Sequence, residues 1–306
     1  MQEHFLSGFT DEAADSLEGQ IKVVKALGWN HMEARRINGF NIHDLDDASF
    51  DQICAVLDKT DIKINCFGSS IANHDTPVES NFDATMTVVN RAIKRMKRLN
   101  VPFIRIMSYG IIFDELRRPA PDQKKAKRFD QLNRICGAFL HAGITPLHEN
   151  AYNYGSMSWE HTLEMLEAVH GLRLVFDTGD AGIMPDYRKA YPYPNQNSLE
   201  VWEHTKAHVL HFHIKDGYRD PDCGIRAYLY PGEGDCEIAK IAADALAIGY
   251  TGGFTIEPNM VTGIHDSSEK NSDEYRFNNF LEYGRLTEEL FRGLGCTVRD
   301  GFIYTE

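Results

Sequence analysis

The chain has 306 residues, 42% of them hydrophobic and 25% charged, with a formal net charge of −13. This is globular composition with ample core material, and the length suits two domains or one large α/β barrel. The acidic balance argues against a nucleic-acid or anionic-membrane partner, because both need clustered Lys and Arg.

The one basic cluster, RAIKRMKR at 91–98, has the spacing of a solvated helix face. Cys54, Cys66, Cys136, Cys223, Cys236 and Cys296 form no CxxC pair and read as reduced thiols. The opening MQEHFLSGFTDEAAD is not a basic segment followed by an apolar run. No apolar stretch approaches the roughly 20 residues of a membrane span. A cytoplasmic protein is the expectation.

Short apolar runs alternate with amphipathic stretches along the chain. The strand candidates, in order, are 5–10, 31–35, 62–70, 101–109, 144–151, 172–180, 209–216 and 252–259. Each precedes a plausible helix. Gly28, Asn100, Gly143 and Gly249 close helices with C-cap chemistry, and Ser158 opens one as an N-cap. Eight such units predict a single (β/α)8 barrel domain over 1–306, with the barrel at about 5–293 and a C-terminal tail at 294–306. No GxGxxG follows the first strand, which removes the usual reason to expect a dinucleotide-binding sheet. Three long loops, 110–122, 180–198 and 217–235, each follow a strand. They belong at the C-terminal face, where such barrels carry their sites.

Ionisable residues gather at the ends of the last four strands: Glu149, Asp177, His213 and Glu257. Strand alternation can aim all four into the barrel mouth. Three carboxylates meeting at low dielectric repel one another. One divalent cation resolves that repulsion and takes the imidazole as a fourth ligand. Mn²⁺ or Mg²⁺ suits this donor set best, with Co²⁺ or Zn²⁺ as alternatives. His211, His213 and Lys215 alternate along VLHFHIKD, so His211 lies one pleat deeper and Lys215 nearer the mouth. Lys215 is placed either on a substrate oxygen or in a salt bridge to a site carboxylate. His148 points toward the helices if its strand is regular. Glu33 ends the second strand beside Arg35, to contact substrate or to pair with an arginine.

In their order on successive strands, HEN, FDTGD, HFHIKD and TIEP resemble the xylose-isomerase-like barrels. More narrowly they resemble the sugar phosphate isomerase/epimerase family, also known as the AP endonuclease family 2 type. The resemblance covers roughly 5–260. It implies Glu149, Asp177, His213 and Glu257 as ligands of one divalent metal, often Mn²⁺, with Glu149 and Glu257 also moving the proton. It further implies substrate contacts at Arg219 and at position 180, where Asp180 replaces the family's usual histidine. The expected activity is isomerisation or epimerisation of an unphosphorylated ketose-like sugar through a metal-stabilised enediolate. The alternative is a lyase, either a dehydratase or a 3-keto-glycoside-cleaving enzyme, and Asp180 favours it. The expected partner is a small sugar, with a homodimer or homotetramer as the expected assembly. Apurinic endonucleases share this barrel, but the −13 charge does not suit a DNA groove.

Overall fold

A computed structural model describes residues 2–260 and 272–305. Eight strands run parallel in chain order: β1 (Gln2–Gly8), β2 (His31–Ala34), β3 (Lys63–Gly68), β4 (Phe103–Ile106), β5 (Thr145–Glu149), β6 (Arg173–Asp177), β7 (Val209–Ile214) and β8 (Phe254–Ile256). Helices cover the outside: α1 (Leu17–Ala26), α2 (Asp47–Leu57), α3 (Phe82–Leu99), α4 (Lys125–His141), α5 (Trp159–Ala168), α6 (Thr178–Ile183), α7 (Ser198–Thr205), α8 (Ile238–Ala247) and α9 (Asp273–Gly293). The (β/α)8 expectation holds, and most strands are shorter than their apolar runs because the run continues into the loop at the mouth.

The caps follow the expected chemistry. Gly28, Gly143, Gly249 and Asn100 all take positive φ where a helix stops. The Ser158 hydroxyl accepts from the His161 N–H at the start of α5. Asp11 and Asp15 precede the first helix in sequence, but Ser16 caps it, its side chain accepting from the Gly19 N–H.

Neighbouring strands set the site by register. Asp177 pairs with His213, and His213 with Thr255, so β6, β7 and β8 end at one level. Glu149 lies opposite Val175 on the adjacent strand. A register irregularity interrupts β2 between Met32 and Glu33, where the Glu33 side chain enters the barrel.

Closure between β1 and β2 is unusual. A single parallel bridge, Phe9 to Glu33, joins them near the mouth. Lower down, Gln2–Phe5 pair antiparallel with Phe302–Thr305, the second strand of a C-terminal hairpin formed by β9 (Thr297–Arg299) and β10 (Phe302–Thr305). The tail thus covers the edge that β2 leaves free. This also explains why β1 begins at Gln2, before its apolar stretch. His31 fills the gap, stacked on Phe5 at 4.5 Å between ring centroids and edge-on to Phe302 at 5.7 Å. Ile303 anchors the hairpin in the core.

Replacing Ile303 by Ala should lower unfolding stability by about 2–5 kcal/mol, the usual cost of truncating a buried aliphatic side chain. Urea denaturation checks it, and a change below 1 kcal/mol would show that the hairpin is not part of the cooperative unit.

Candidate metal centre

Glu149 and Asp177 are the last residues of β5 and β6, His213 is next to last in β7, and Glu257 directly follows β8. All four are buried, and one donor atom from each lies within 4.8 Å of the others.

Each of the three carboxylates commits one oxygen to a fixed donor and turns the other inward. Glu149 Oε2 accepts from Arg105 Nη1 at 2.5 Å, while Oε1 lies 2.6 Å from His213 Nδ1. Glu257 Oε1 accepts from Arg35 Nη1 at 3.0 Å, while Oε2 lies 3.4 Å from His213 Nδ1 and 3.2 Å from Lys215 Nζ. Asp177 Oδ1 accepts from the Asp180 N–H at 2.7 Å, capping α6, while Oδ2 lies 2.8 Å from Lys215 Nζ. The Asn150 side chain pins the Asp177 backbone, accepting from its N–H at 2.7 Å and donating to its carbonyl at 2.9 Å.

Asp177 Oδ2 and Glu257 Oε2 are buried without an aligned hydrogen bond, although Lys215 is close to both. Buried carboxylate oxygens are seldom left this way. Three inward oxygens and one imidazole nitrogen form an oxygen-rich set with one nitrogen, which fits a hard divalent cation.

The protein's own charges hold this cluster together. His213 keeps its proton well above the usual imidazole range: burial opposes the charge, but Glu33 and Glu149 outweigh it. Lys215 is likewise held charged, as Asp177, Asp180 and Glu257 outweigh its burial. Glu149 drops to about 2 because Arg105 and His213 overcome burial and the nearby Glu257. Glu257 is held well below its usual range by Lys215, His213 and Arg35, again against burial. Asp177 moves the other way: burial, with Asp180, Glu257 and Glu149 nearby, raises it well above normal despite Lys215. Asp180 is raised for the same first reason, its burial.

The other residues expected at the site separate. Lys215 forms a three-way ion pair with Asp177, Asp180 and Glu257, with Asp180 Oδ2 at 3.3 Å. Asp180 therefore reaches the cluster through Lys215. Arg219 lies away from it and ties two mouth loops together, donating to Asn195 Oδ1 at 2.8 Å and to the Tyr193 carbonyl at 3.3 Å. Glu33 pairs with histidines rather than an arginine. Its Oε2 is 2.8 Å from His211 Nε2, and both its oxygens are 3.3 Å from His213 Nε2. It is fully buried within the barrel. His148 points away from the cluster and donates to Asn153 Oδ1 at 2.8 Å.

Sequence reasoning passed over Arg105, and it noted Arg35 only as a neighbour of Glu33. Arg35 binds Asp11 at 2.8 Å and Glu12 at 3.1 Å besides Glu257. The available signal for Arg105 was a lone charge inside the apolar strand FIRI, which needs a buried anionic partner.

Replacing Lys215 by Met should destabilise the metal-free chain by about 3–5 kcal/mol, because three buried carboxylates lose their shared counter-charge. Urea unfolding in EDTA checks this, and an unchanged midpoint would remove Lys215 from the balance. His148 supplies a pH signature: burial pushes its imidazole down to about 4, against its bond to Asn153 and the charge of Glu149. The unfolded chain binds that proton near pH 6.5, so this contribution is complete above 6.5 and is lost as pH falls toward 4. Stability should fall by about 2 kcal/mol from this residue between pH 7 and pH 5. Denaturation of wild type and His148→Gln at both pH values should show a smaller drop in the variant.

The family model described as xylose isomerase-like TIM barrel matches residues 21–276. No curated protein sequence matches the chain. Among solved structures, a D-tagatose 3-epimerase-like protein superposes with a TM-score of 0.69 at 17% identity, covering 95% of this chain and 98% of that one. A xylose isomerase-like TIM barrel protein from Mycobacterium smegmatis, in complex with magnesium, gives 0.66 at 15% identity, covering 94% and 97%. The IolI protein with a bound zinc atom gives 0.67 at 15% identity, covering 95% and 97%. At these identities the structural likeness concerns the fold. With the family model spanning most of its length and the same architecture throughout, the chain belongs to the xylose isomerase-like TIM barrel family.

Proposed function

We propose that the chain is a divalent-metal-dependent isomerase or epimerase acting on an unphosphorylated ketose-like sugar, with Mn²⁺ as the metal. The observation that carries this reading is the convergence of Glu149, Asp177, His213 and Glu257. Magnesium and zinc in two related folds, and the epimerase-like name of a third, support it.

The difficult step is removal of a proton beside a sugar carbonyl. Glu149, Asp177, His213 and Glu257 would hold the dication, which would supply Lewis-acid stabilisation of developing negative charge. Glu149 and Glu257 come from different strands and approach from different directions. Each is held ionised against its burial, Glu149 by Arg105 and His213, and Glu257 by Lys215, His213 and Arg35. Each is therefore present in its base form, and the two together can remove the proton and return it. Lys215 stands beside Glu257 and Asp177 as a fixed positive charge next to the developing oxyanion.

The loop after β7 bears on the substrate's charge. It gathers the N–H groups of Gly217, Gly232, Gly234 and Cys236, a nest suited to an anion. All four donate to the Asp216 carboxylate, at 2.9, 2.8, 3.1 and 3.3 Å. With that nest filled by the protein's own aspartate, the reading favours a substrate without phosphate.

The test is incubation with Mn²⁺ and unphosphorylated ketoses in D₂O. Solvent deuterium should enter next to the carbonyl with the molecular formula otherwise conserved. Glu149→Gln should lower the rate about 10²–10⁴-fold, the range for a lost acid–base group. Loss of water or of an aglycone would instead establish the elimination reading, in which Asp180 becomes the acid. Full metal-dependent turnover by Glu149→Gln would remove Glu149 from the chemistry.

A further inference from the structure

The geometry points to Glu33 as the positioning residue that presents His213 Nδ1 to a metal ion. The inference rests on the metal reading above and extends it to a residue outside the four-residue cluster.

The two ring nitrogens of His213 face different carboxylates. Nδ1 lies 2.6 Å from Glu149 Oε1 and 3.4 Å from Glu257 Oε2, on the side where the other ligands converge. Nε2 lies 3.3 Å from both oxygens of Glu33. A carboxylate only accepts hydrogen bonds. Once the Glu149 and Glu257 oxygens beside Nδ1 turn to a cation, the one proton that a metal-bound imidazole keeps belongs on Nε2, where Glu33 accepts it. Flipping the ring would place a carbon against Glu33 and another against the ligand oxygens. The edge of Phe9, at 4.9 Å between centroids, and that of His211, at 5.6 Å, confine the ring further.

Glu33 is itself held. His211 Nε2 lies 2.8 Å from its Oε2, and the Thr255 hydroxyl lies 3.0 Å from the same nitrogen. The β2 irregularity at Met32/Glu33 brings the carboxylate beneath His213. Glu33 faces the Nε2 edge of the His213 ring, whereas Glu149 and Glu257 face the Nδ1 edge. A carboxylate behind a metal-binding histidine fixes the tautomer and ring orientation and raises ligand basicity.

The test uses full-length chain stripped with EDTA and titrated with Mn²⁺ by calorimetry. Wild type should bind one equivalent, and Glu33→Gln should bind about 10- to 100-fold more weakly. A purely structural role would reduce the folded fraction, and with it the apparent stoichiometry, but leave the affinity of the folded molecules unchanged. Affinity within twofold of wild type in Glu33→Gln overturns the inference and leaves the metal reading intact. No Mn²⁺ binding by wild type overturns both. A second measurement needs no variant: NMR of histidine-labelled wild type loaded with Zn²⁺. It should show a slowly exchanging proton on His213 Nε2, and a proton on Nδ1, or none, overturns the assignment.

Discussion

The mutual repulsion of carboxylates buried at one end of the barrel is the constraint that organises this molecule. Glu33, Glu149, Asp177, Asp180 and Glu257 all lie out of water around one histidine. At such distances and low dielectric, unrelieved like charges cost several kcal/mol each. The chain meets this with Arg35, Arg105, Lys215 and a protonated His213. Phe9 stands between the two arginines, with its ring centroid 4.4 Å from the Arg35 guanidinium carbon and 5.6 Å from that of Arg105. One aromatic residue after β1 thus supports both clamps, and its backbone also makes the bridge that closes the barrel.

These counter-charges divide the carboxylates into two kinds. Glu149 and Glu257 each have an arginine of their own and stay ionised. Asp177 and Asp180 have no arginine among the described residues, share Lys215 with Glu257, and are pushed toward the protonated form by burial. Groups with environments that separate their proton affinities in this way can take distinct acid and base roles. The same arrangement turns one oxygen of each of Glu149, Asp177 and Glu257 toward the cluster, since the other is already spent on Arg105, Arg35 or the N-cap of α6. Preorganisation of this kind holds the donors in place before any ion arrives.

The legible part of the site was the part written at strand ends. Glu149, Asp177, His213 and Glu257 stood out together, because each alone has an ordinary structural explanation but four ionisable residues at successive strand ends do not. The spacing of His211, His213 and Lys215 placed them on one face, and the structure keeps them there. Arg105 was harder to read. The carboxylate that its guanidinium binds lies 44 residues away. Glu33 was visible as a strand-end acid, but its partners are 178 and 180 residues distant. Arg219 matched a family spacing, yet its hydrogen bonds go to the loop at 193–195.

Sequence by itself determined the eight βα units, several of their caps and the four residues that cluster at the strand ends. These depend on local periodicity and on residue type, which a chain carries wherever it folds. Tertiary structure decided which oxygen of each carboxylate is committed, which histidine nitrogen faces the ligands and how β1 is covered. Those depend on register between strands distant in sequence, and a one-residue shift in register turns a side chain to the opposite face.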